Sequence, residues 1–239
     1  MEENGMYTKT AEYYDLIYSS FKNYEEEAAQ VRQLISAELP SCKTILDVAC
    51  GTGEHHLHLK SQFKVTGIDL NETFIDIAKK KNPECEYHTA DMRQFDLKTK
   101  FDAIVCLFSS IGYLGSQEEV VRALHCFKNH LAPHGVIFVE PWFTAEVWKV
   151  PNLHMVTVER EGLKVCRASS SQKLGRTSRA DMHYLIATAD GVRYESEEHA
   201  LTLFSIEEMK EAFLKTGLVV EHCPVGLIGR GMYKARLVD

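Results

Sequence analysis

Three carboxylates recur at comparable points in the first half of the chain: Asp47 in "LDVACGTG", Asp69 in "VTGIDL" and Asp91 in "TADMRQFD". Each closes a short β-prone run, which places it at the carboxyl end of a strand, where open α/β sheets hold their ligands. Gly51 and Gly53 follow the first acid, and His55, His56 and His58 follow the glycines. A phosphate-cradling P-loop needs G-x-x-x-x-G-K-[ST], and neither the spacing nor the lysine is present. The dinucleotide fingerprint G-x-G-x-x-G finds its first two glycines, but His56 fills the third place, where a small residue permits close helix packing. Asp47 also opposes a pyrophosphate, because a carboxylate ahead of the loop repels an anion held at a helix N-terminus. It suits a cationic group instead. The histidines have no cysteine or carboxylate partner at a recognised ligand spacing, so no metal is expected. They read as one helix face, His55 toward a ligand carboxylate and the other two solvated.

Asp69 lies eighteen residues after Gly51, where it can accept both hydroxyls of a ribose. Asp91 can receive an adenine amino group while Met92 packs on the ring. The structural alternative makes Asp47 a helix cap and Asp69 and Asp91 ordinary strand ends. Recurrence at three successive strand ends favours a ligand. A nucleoside with a positively charged tail fits all three acids, and S-adenosylmethionine has those features.

The elements that must position these residues alternate. Asn23 with Glu26 starts a helix whose Ala28, Val31, Leu34, Ile35 and Leu39 recur at helical spacing up to Pro40. Strands follow at 44–49, 64–69, 85–90 and 101–109. Helices are expected over "GEHHLHLKSQF", over "ETFIDIAKKKN" behind Asn71, and over "QEEVVRALHCFKNHL", opened by a Ser116/Glu119 capping box and ended by Pro133 and Gly135. "GVIFVEP" is the fifth strand. Such β-α-β-α alternation implies a mostly parallel sheet covered by helices on both faces. Between Trp142 and Phe204 the pattern changes to "LHMVTVER", "LKVCRASSS", "ADMHYLIATA" and "RYESEEHALTLF", divided by Glu161-Gly162, Leu174-Gly175 and Asp190-Gly191. Strands with tight turns and no intervening helix cannot make parallel crossovers, so an antiparallel insertion of about four strands is expected over one end of the sheet. Its basic residues Arg160, Lys164, Arg167, Lys173, Arg176 and Arg179 alternate with acids and read as a solvated face, with phosphate binding as the alternative for some. Ser205 and Glu208 start a last helix that Gly217 closes, and "LVVEHC" and "GMYKARLV" are the final strands. The division is residues 1–141 with 204–239 as the Rossmann-like part and 142–203 as the β-rich region.

Composition agrees with one globular core: 45% apolar and 26% charged residues. A net charge of −7 disfavours nucleic acid, and any anionic partner must meet a local cluster of bases. No run approaches a membrane span, and the acidic opening "MEENGMYTKT" is unlike a secretory signal, so a cytoplasmic protein is expected. Seven scattered cysteines without a C-x-x-C pair read as reduced and mostly buried.

"LDVACGTG", "VTGIDL", "ADMRQFD" and "FDAIVCLFSSIG", in this order, resemble the class I S-adenosylmethionine-dependent methyltransferases over nearly the whole chain. The resemblance implies a seven-stranded sheet of order 3-2-1-4-5-7-6 with strand 7 antiparallel. "YYDLIY", "FSSIGYL", "VEPWF" and "GRGMY", with the β-rich insertion, are similar to the TDP-linked aminosugar N,N-dimethyltransferases. In those enzymes "SSIG" is usually followed by His, whereas this chain has Tyr113. The resemblance implies a methionine site at Asp47, Ala49, Gly51, Gly53 and His55, a ribose site at Asp69 and Leu70, and an adenine site at Asp91 and Met92, with Phe108 beside the cofactor. Tyr14 and Tyr18 would close it. Tyr113, Glu140 and Trp142 would surround the acceptor, with Tyr113 or Glu140 taking the amine's proton and Arg230 pairing with a substrate phosphate. A homodimer is implied by the resemblance alone. The alternatives are a methyltransferase for another small-molecule or peptide N/O acceptor and a cofactor-binding protein without catalysis.

Overall fold

Asn23 opens the first long helix by accepting the Glu26 backbone N–H at 3.1 Å, and the helix (α2, Tyr24–Glu38) buries Ala28, Val31 and Ile35 as its spacing demands. The computed structural model describes Tyr7 and residues 9–238. Against α2 lies a sheet whose strands β1 (Thr44–Val48), β2 (Lys64–Asp69), β3 (Glu86–Thr89), β4 (Phe101–Cys106) and β5 (Leu131–Val139) run parallel. At its far side β11 (Met232–Leu237) pairs antiparallel with both β5 and β10 (Leu218–Cys223). The order β3-β2-β1-β4-β5-β11-β10 is the expected one.

Helices cover both faces, which is why β1 and β4 read as nearly unbroken apolar runs. On one face α5 (Gln117–His130) and α6 (Ile206–Lys215) pack Leu124, Phe127 and Phe213 against Ile104, Ile137 and Tyr233. On the other, α2 meets Ile45, Val105 and Phe138. Helix α4 (Glu72–Lys81) is capped by Asn71, and Ser205 with Glu208 makes both halves of the capping box on α6.

Several elements differ from expectation. The helix after the glycine loop is a single turn, α3 (His56–Leu59), because bonds on either side of it close over three residues, Leu57 N–H to Glu54 and Gln62 N–H to Leu59. Helix α5 stops at His130, and β5 begins at once, since Leu131 is buried opposite Phe101. The register then shifts, so that Ala103 faces Val136. Only half of the Ser116/Glu119 box forms: Glu119 turns its carboxylate to the Gly115 N–H and to Arg93. A helix before α2, α1 (Ala11–Tyr18), was not expected. All seven cysteines are free, but only Cys50 and Cys106 are buried, and Cys223 is exposed. Among the described residues no helix is long and apolar enough to cross a membrane.

The insertion is a meander, β6 (Asn152–Arg160), β7 (Leu163–Leu174), β8 (Thr177–Thr188) and β9 (Gly191–Thr202), antiparallel throughout and turning at the expected glycines. Its inner face packs Val165, Tyr184 and Ile186 on Tyr13, Ile17 and Tyr18 of α1. Helix α1 thus fastens the second sheet to the first.

Candidate active site

The carboxyl ends of β1 to β4 face the inner side of the insertion across a cavity of about 1340 Å³. The main-sheet wall holds Ala49, Gly51, Asp69, Leu70, Asp91, Met92 and Phe108, and Tyr14, Tyr18, Tyr113, Trp142 and Arg230 also line it, whereas the expected Asp47, Gly53, His55 and Glu140 do not. Backbone strain concentrates here: Ala49, Phe108 and Ser109 all have positive φ, at 60°, 51° and 62°.

Asp69 accepts the Gly51 N–H at 2.8 Å with one oxygen and the Asn71 N–H at 2.9 Å with the other. Burial pushes its carboxyl up to about pH 6, and the backbone donors oppose that rise. Asp91 reaches the cavity already paired with Arg93, whose guanidinium donates to both its oxygens and to Glu119 as well. Arg93 holds the Asp91 carboxyl below the usual range. Asp47 sits behind the loop. One of its oxygens meets His56 Nε2 at 2.9 Å, the other is buried without a partner among the described residues, and Asp47 borders a small second cavity of about 40 Å³ with Gly51 and His55.

The histidines diverge. His55 is drawn to Glu27 at 2.9 Å. His56, expected to be solvated, is fully buried between Asp47 and Tyr87, with its other ring nitrogen 2.7 Å from the Tyr87 hydroxyl. Gly67 makes this possible, since a Cβ there would lie 2.9 Å from the His56 ring. The helix packing forbidden to a large third residue is restored by a glycine on the neighbouring strand. Gly53 is not at the cavity, and a Cβ on it would strike the Tyr87 hydroxyl.

Glu140 also departs from expectation, because it lies behind the cavity wall. It accepts the Phe108 N–H at 2.7 Å, holding that strained turn, while its other oxygen is 3.9 Å from Arg230. Burial raises its carboxyl and Arg230 opposes the rise. Arg230 spreads between Phe108 and Trp142, 5.2 and 5.0 Å from their ring centres, and donates to Ser109 Oγ at 3.1 Å. Trp142 donates to Ser178 on β8 at 2.8 Å.

Above these residues Tyr7, Tyr14 and Tyr18 form one aromatic cluster with Phe74, the Tyr7 and Tyr18 hydroxyls being 3.1 Å apart. Tyr113 points its hydroxyl at His199 Nδ1, 3.0 Å away on β9. His199 is buried, and its Nε2 is 3.6 Å from Glu197, which accepts from Thr10. Burial pushes the Tyr113 phenol well up, so it is neutral at physiological pH. Sequence reasoning missed His199 and Glu197, and it read Arg167 as one of a solvated set with phosphate binding as the alternative for some. The signal was the strand period of two, which puts Glu197 and His199 on the face of buried Leu201, and Arg167 on that of buried Val165.

The family described as "Methyltransferase domain" matches residues 45–135. A relative from Streptomyces fradiae, dTDP-3-amino-3,6-dideoxy-alpha-D-glucopyranose N,N-dimethyltransferase, is 41% identical over 93% of this chain and 89% of its own length. The chain belongs to the S-adenosylmethionine-dependent methyltransferases. The crystal structure of Streptomyces venezuelae DesVI superposes on this methyltransferase with a TM-score of 0.91 at 38% identity, covering 97% of this chain and 99% of that one. CalS10, an amino pentose methyltransferase from Micromonospora echinaspora solved with S-adenosylmethionine bound, gives 0.83 at 34% identity, covering 97% and 98%. The cofactor of the methyltransferase is S-adenosylmethionine, and its residues fit that group: the Asp69 carboxylate lines an open cavity, and a buried Asp47 oxygen lacks a partner.

Proposed function

We propose that this methyltransferase methylates the amine of a nucleotide-linked aminosugar. The observation that carries the reading is the size of the main cavity. At about 1340 Å³ it exceeds the roughly 300–1000 Å³ of ordinary small-molecule pockets, and so has room for the cofactor and a nucleotide-sized acceptor together. Acids line one end and Arg230 stands at another wall, so the two ends suit ligands of opposite charge. The relatives' aminosugar substrates support the same choice.

In this reading Asp69 takes the ribose hydroxyls and Leu70 packs beside them. Asp91 and Met92 flank the adenine, and Ala49, Gly51 and the buried Asp47 oxygen face the methionine end. Tyr14 and Tyr18 exclude water, and Arg230 meets a phosphate with its planar fork of donors. When bound, the cofactor supplies a methyl group on a sulfonium, ready for in-line displacement by a neutral amine. The chain's main task is alignment, which can contribute on the order of 7–11 kcal/mol. A base contributes only about 10²–10⁴ in rate, the smaller share. Glu140 is behind the wall and keeps the Phe108 turn in place. The amine's proton goes to the Tyr113 oxygen while the phenol's own proton passes to His199 Nδ1, and Glu197 stabilises the resulting imidazolium.

The test is incubation with S-adenosylmethionine and dTDP-3-amino-3,6-dideoxyglucose, followed by mass spectrometry. S-adenosylhomocysteine should appear together with a sugar heavier by one or two methyl groups. In the same assay Tyr113→Phe should reduce turnover by about 10²- to 10⁴-fold with cofactor affinity unchanged. Cofactor binding without any methyl gain on the sugar would overturn the aminosugar reading, and full turnover by Tyr113→Phe would remove that residue from the proton path.

A further inference from the structure

Arg167, on β7, is a buried cation with no counter-charge among the described residues. The residue is 4% exposed, its Nε and Nη1 are buried without hydrogen-bond partners, and among the described residues no carboxylate forms an ion pair with it. The other cavity-lining bases differ in this respect: Lys22 pairs with Glu27, Arg93 with Asp91 and Glu119, and Arg230 lies near Glu140. Removing a charge from water without pairing it costs several kcal/mol, so an unpaired guanidinium in a folded wall calls for an external partner.

Its surroundings are built to hold the group still. The guanidinium carbon lies 5.0 Å from the ring centre of Tyr18 and 5.7 Å from that of Phe21, which fixes its plane against aromatic rings. Ser169 and Ser171 follow it on the same strand face and, like Arg167, line the cavity. Small hydroxyl side chains beside a stacked, planar fork of donors leave room for a tetrahedral anion and can donate to it. The bases that the main-sheet region brings to the cavity, Arg93 and Arg230, already face carboxylates.

We infer that Arg167 is an anion anchor of the insertion, binding a phosphate oxygen of the acceptor substrate independently of Arg230. The inference rests on the nucleotide-linked reading of the acceptor. It makes the second sheet a binding wall with its own charge. It also implies that the empty protein carries a cost at this position that the ligand relieves.

The experiment is calorimetric titration of the protein, saturated with S-adenosylhomocysteine, with dTDP, inorganic pyrophosphate and thymidine. The variants are Arg167→Met, which keeps the volume but not the charge, and Arg167→Lys, which keeps the charge but not the fork. Arg167→Met should weaken dTDP and pyrophosphate at least about tenfold and leave thymidine within about twofold, because a charge-assisted hydrogen bond is lost and base contacts are not. Arg167→Lys should fall between. The melting temperature of ligand-free Arg167→Met should equal or exceed that of the wild type, which a merely structural arginine would not allow. Pyrophosphate binding without dTDP binding would assign the site to a free phosphate anion. Equal dTDP affinity in all three proteins, or wild-type protein that binds neither anion, would overturn the inference. Should Arg167→Met not fold, the wild-type and Arg167→Lys titrations decide by the same criterion. Tight dTDP binding that depends on Arg167, with no methyl transfer to any dTDP-aminosugar, would sink the proposed activity and leave the anchor standing.

Discussion

Asp69 carries the most informative charge in the site. Its carboxylate accepts two backbone N–H groups, yet burial raises its titration to about pH 6. An acid whose folded value is raised binds protons in the native state that the unfolded chain does not bind. The empty fold is therefore relieved by acidification between about pH 6 and 4 and bears the cost of the charge above that window. In the proposed reading cofactor binding runs the other way, since the ionised form is the better acceptor for hydroxyl donors. S-adenosylmethionine affinity should hold from pH 8 to 6.5 and then drop by up to about tenfold per unit below pH 6, and Asp69→Asn should bind weakly with that slope abolished. Calorimetry across pH 5 to 8 checks this, and an equal slope in Asp69→Asn would assign the titration elsewhere. Asp91 has no such window, because Arg93 already neutralises it. The sequence shows both acids alike, and only the neighbour two residues on separates them.

Among elements, those built from periodicity and punctuation were legible. β1 and β4 are apolar because they are buried on both faces, α2, α4 and α6 carry their caps in the sequence, and the meander turns where glycines stand. What was not legible depended on contacts distant in the chain. The brevity of α3 follows from local three-residue bonds, but the burial of His56 needs Gly67 on β2 to make room for it. Arg167 looked like one of six solvated bases because charge patterning does not say which face of a strand is covered. The loop between β10 and β11 shows the same limit. The resemblance put a functional arginine in it, and the geometry shows what holds that arginine: Gly226 has φ +59°, and a Cβ there would lie 2.2 Å from the Gly231 carbonyl oxygen, on the residue after Arg230. Gly226→Ala should cost about 1–3 kcal/mol in urea unfolding and raise the KM for the sugar nucleotide about tenfold, with cofactor affinity unchanged. An unchanged KM at reduced stability would separate the loop's fold from Arg230's placement.

At the scale of the molecule, two sheets are joined by a short helix. Tyr13, Ile17 and Tyr18 of α1 share one apolar cluster with Val165, Tyr184 and Ile186 of the insertion, while Tyr14 and Tyr18 also line the cavity. A ligand gripped by those tyrosines should therefore stabilise both regions together. With S-adenosylmethionine at about one hundred times its Kd, amides in residues 11–18 and in β7 and β8 should exchange up to about one hundredfold more slowly in hydrogen-exchange mass spectrometry. Slowing confined to the main sheet would mean that α1 does not couple the two.

In the proposed reading the acids that face the cofactor stand on one sheet and Arg167 on the other, and the acceptor reaches between them. Such a site works as a caliper. The gap is set by α1, which packs on the second sheet, and by the segments that lead into and out of the insertion, and an acceptor would be gauged by the distance from its anionic end to its amine. Moving the amine by one ring position changes that distance by about a bond length, while alignment for transfer tolerates only about 0.5 Å. Selectivity among aminosugars would then be written in the jaw spacing, so that substitutions far from the cavity, at the contact between α1 and the second sheet, could retune which ring position is methylated.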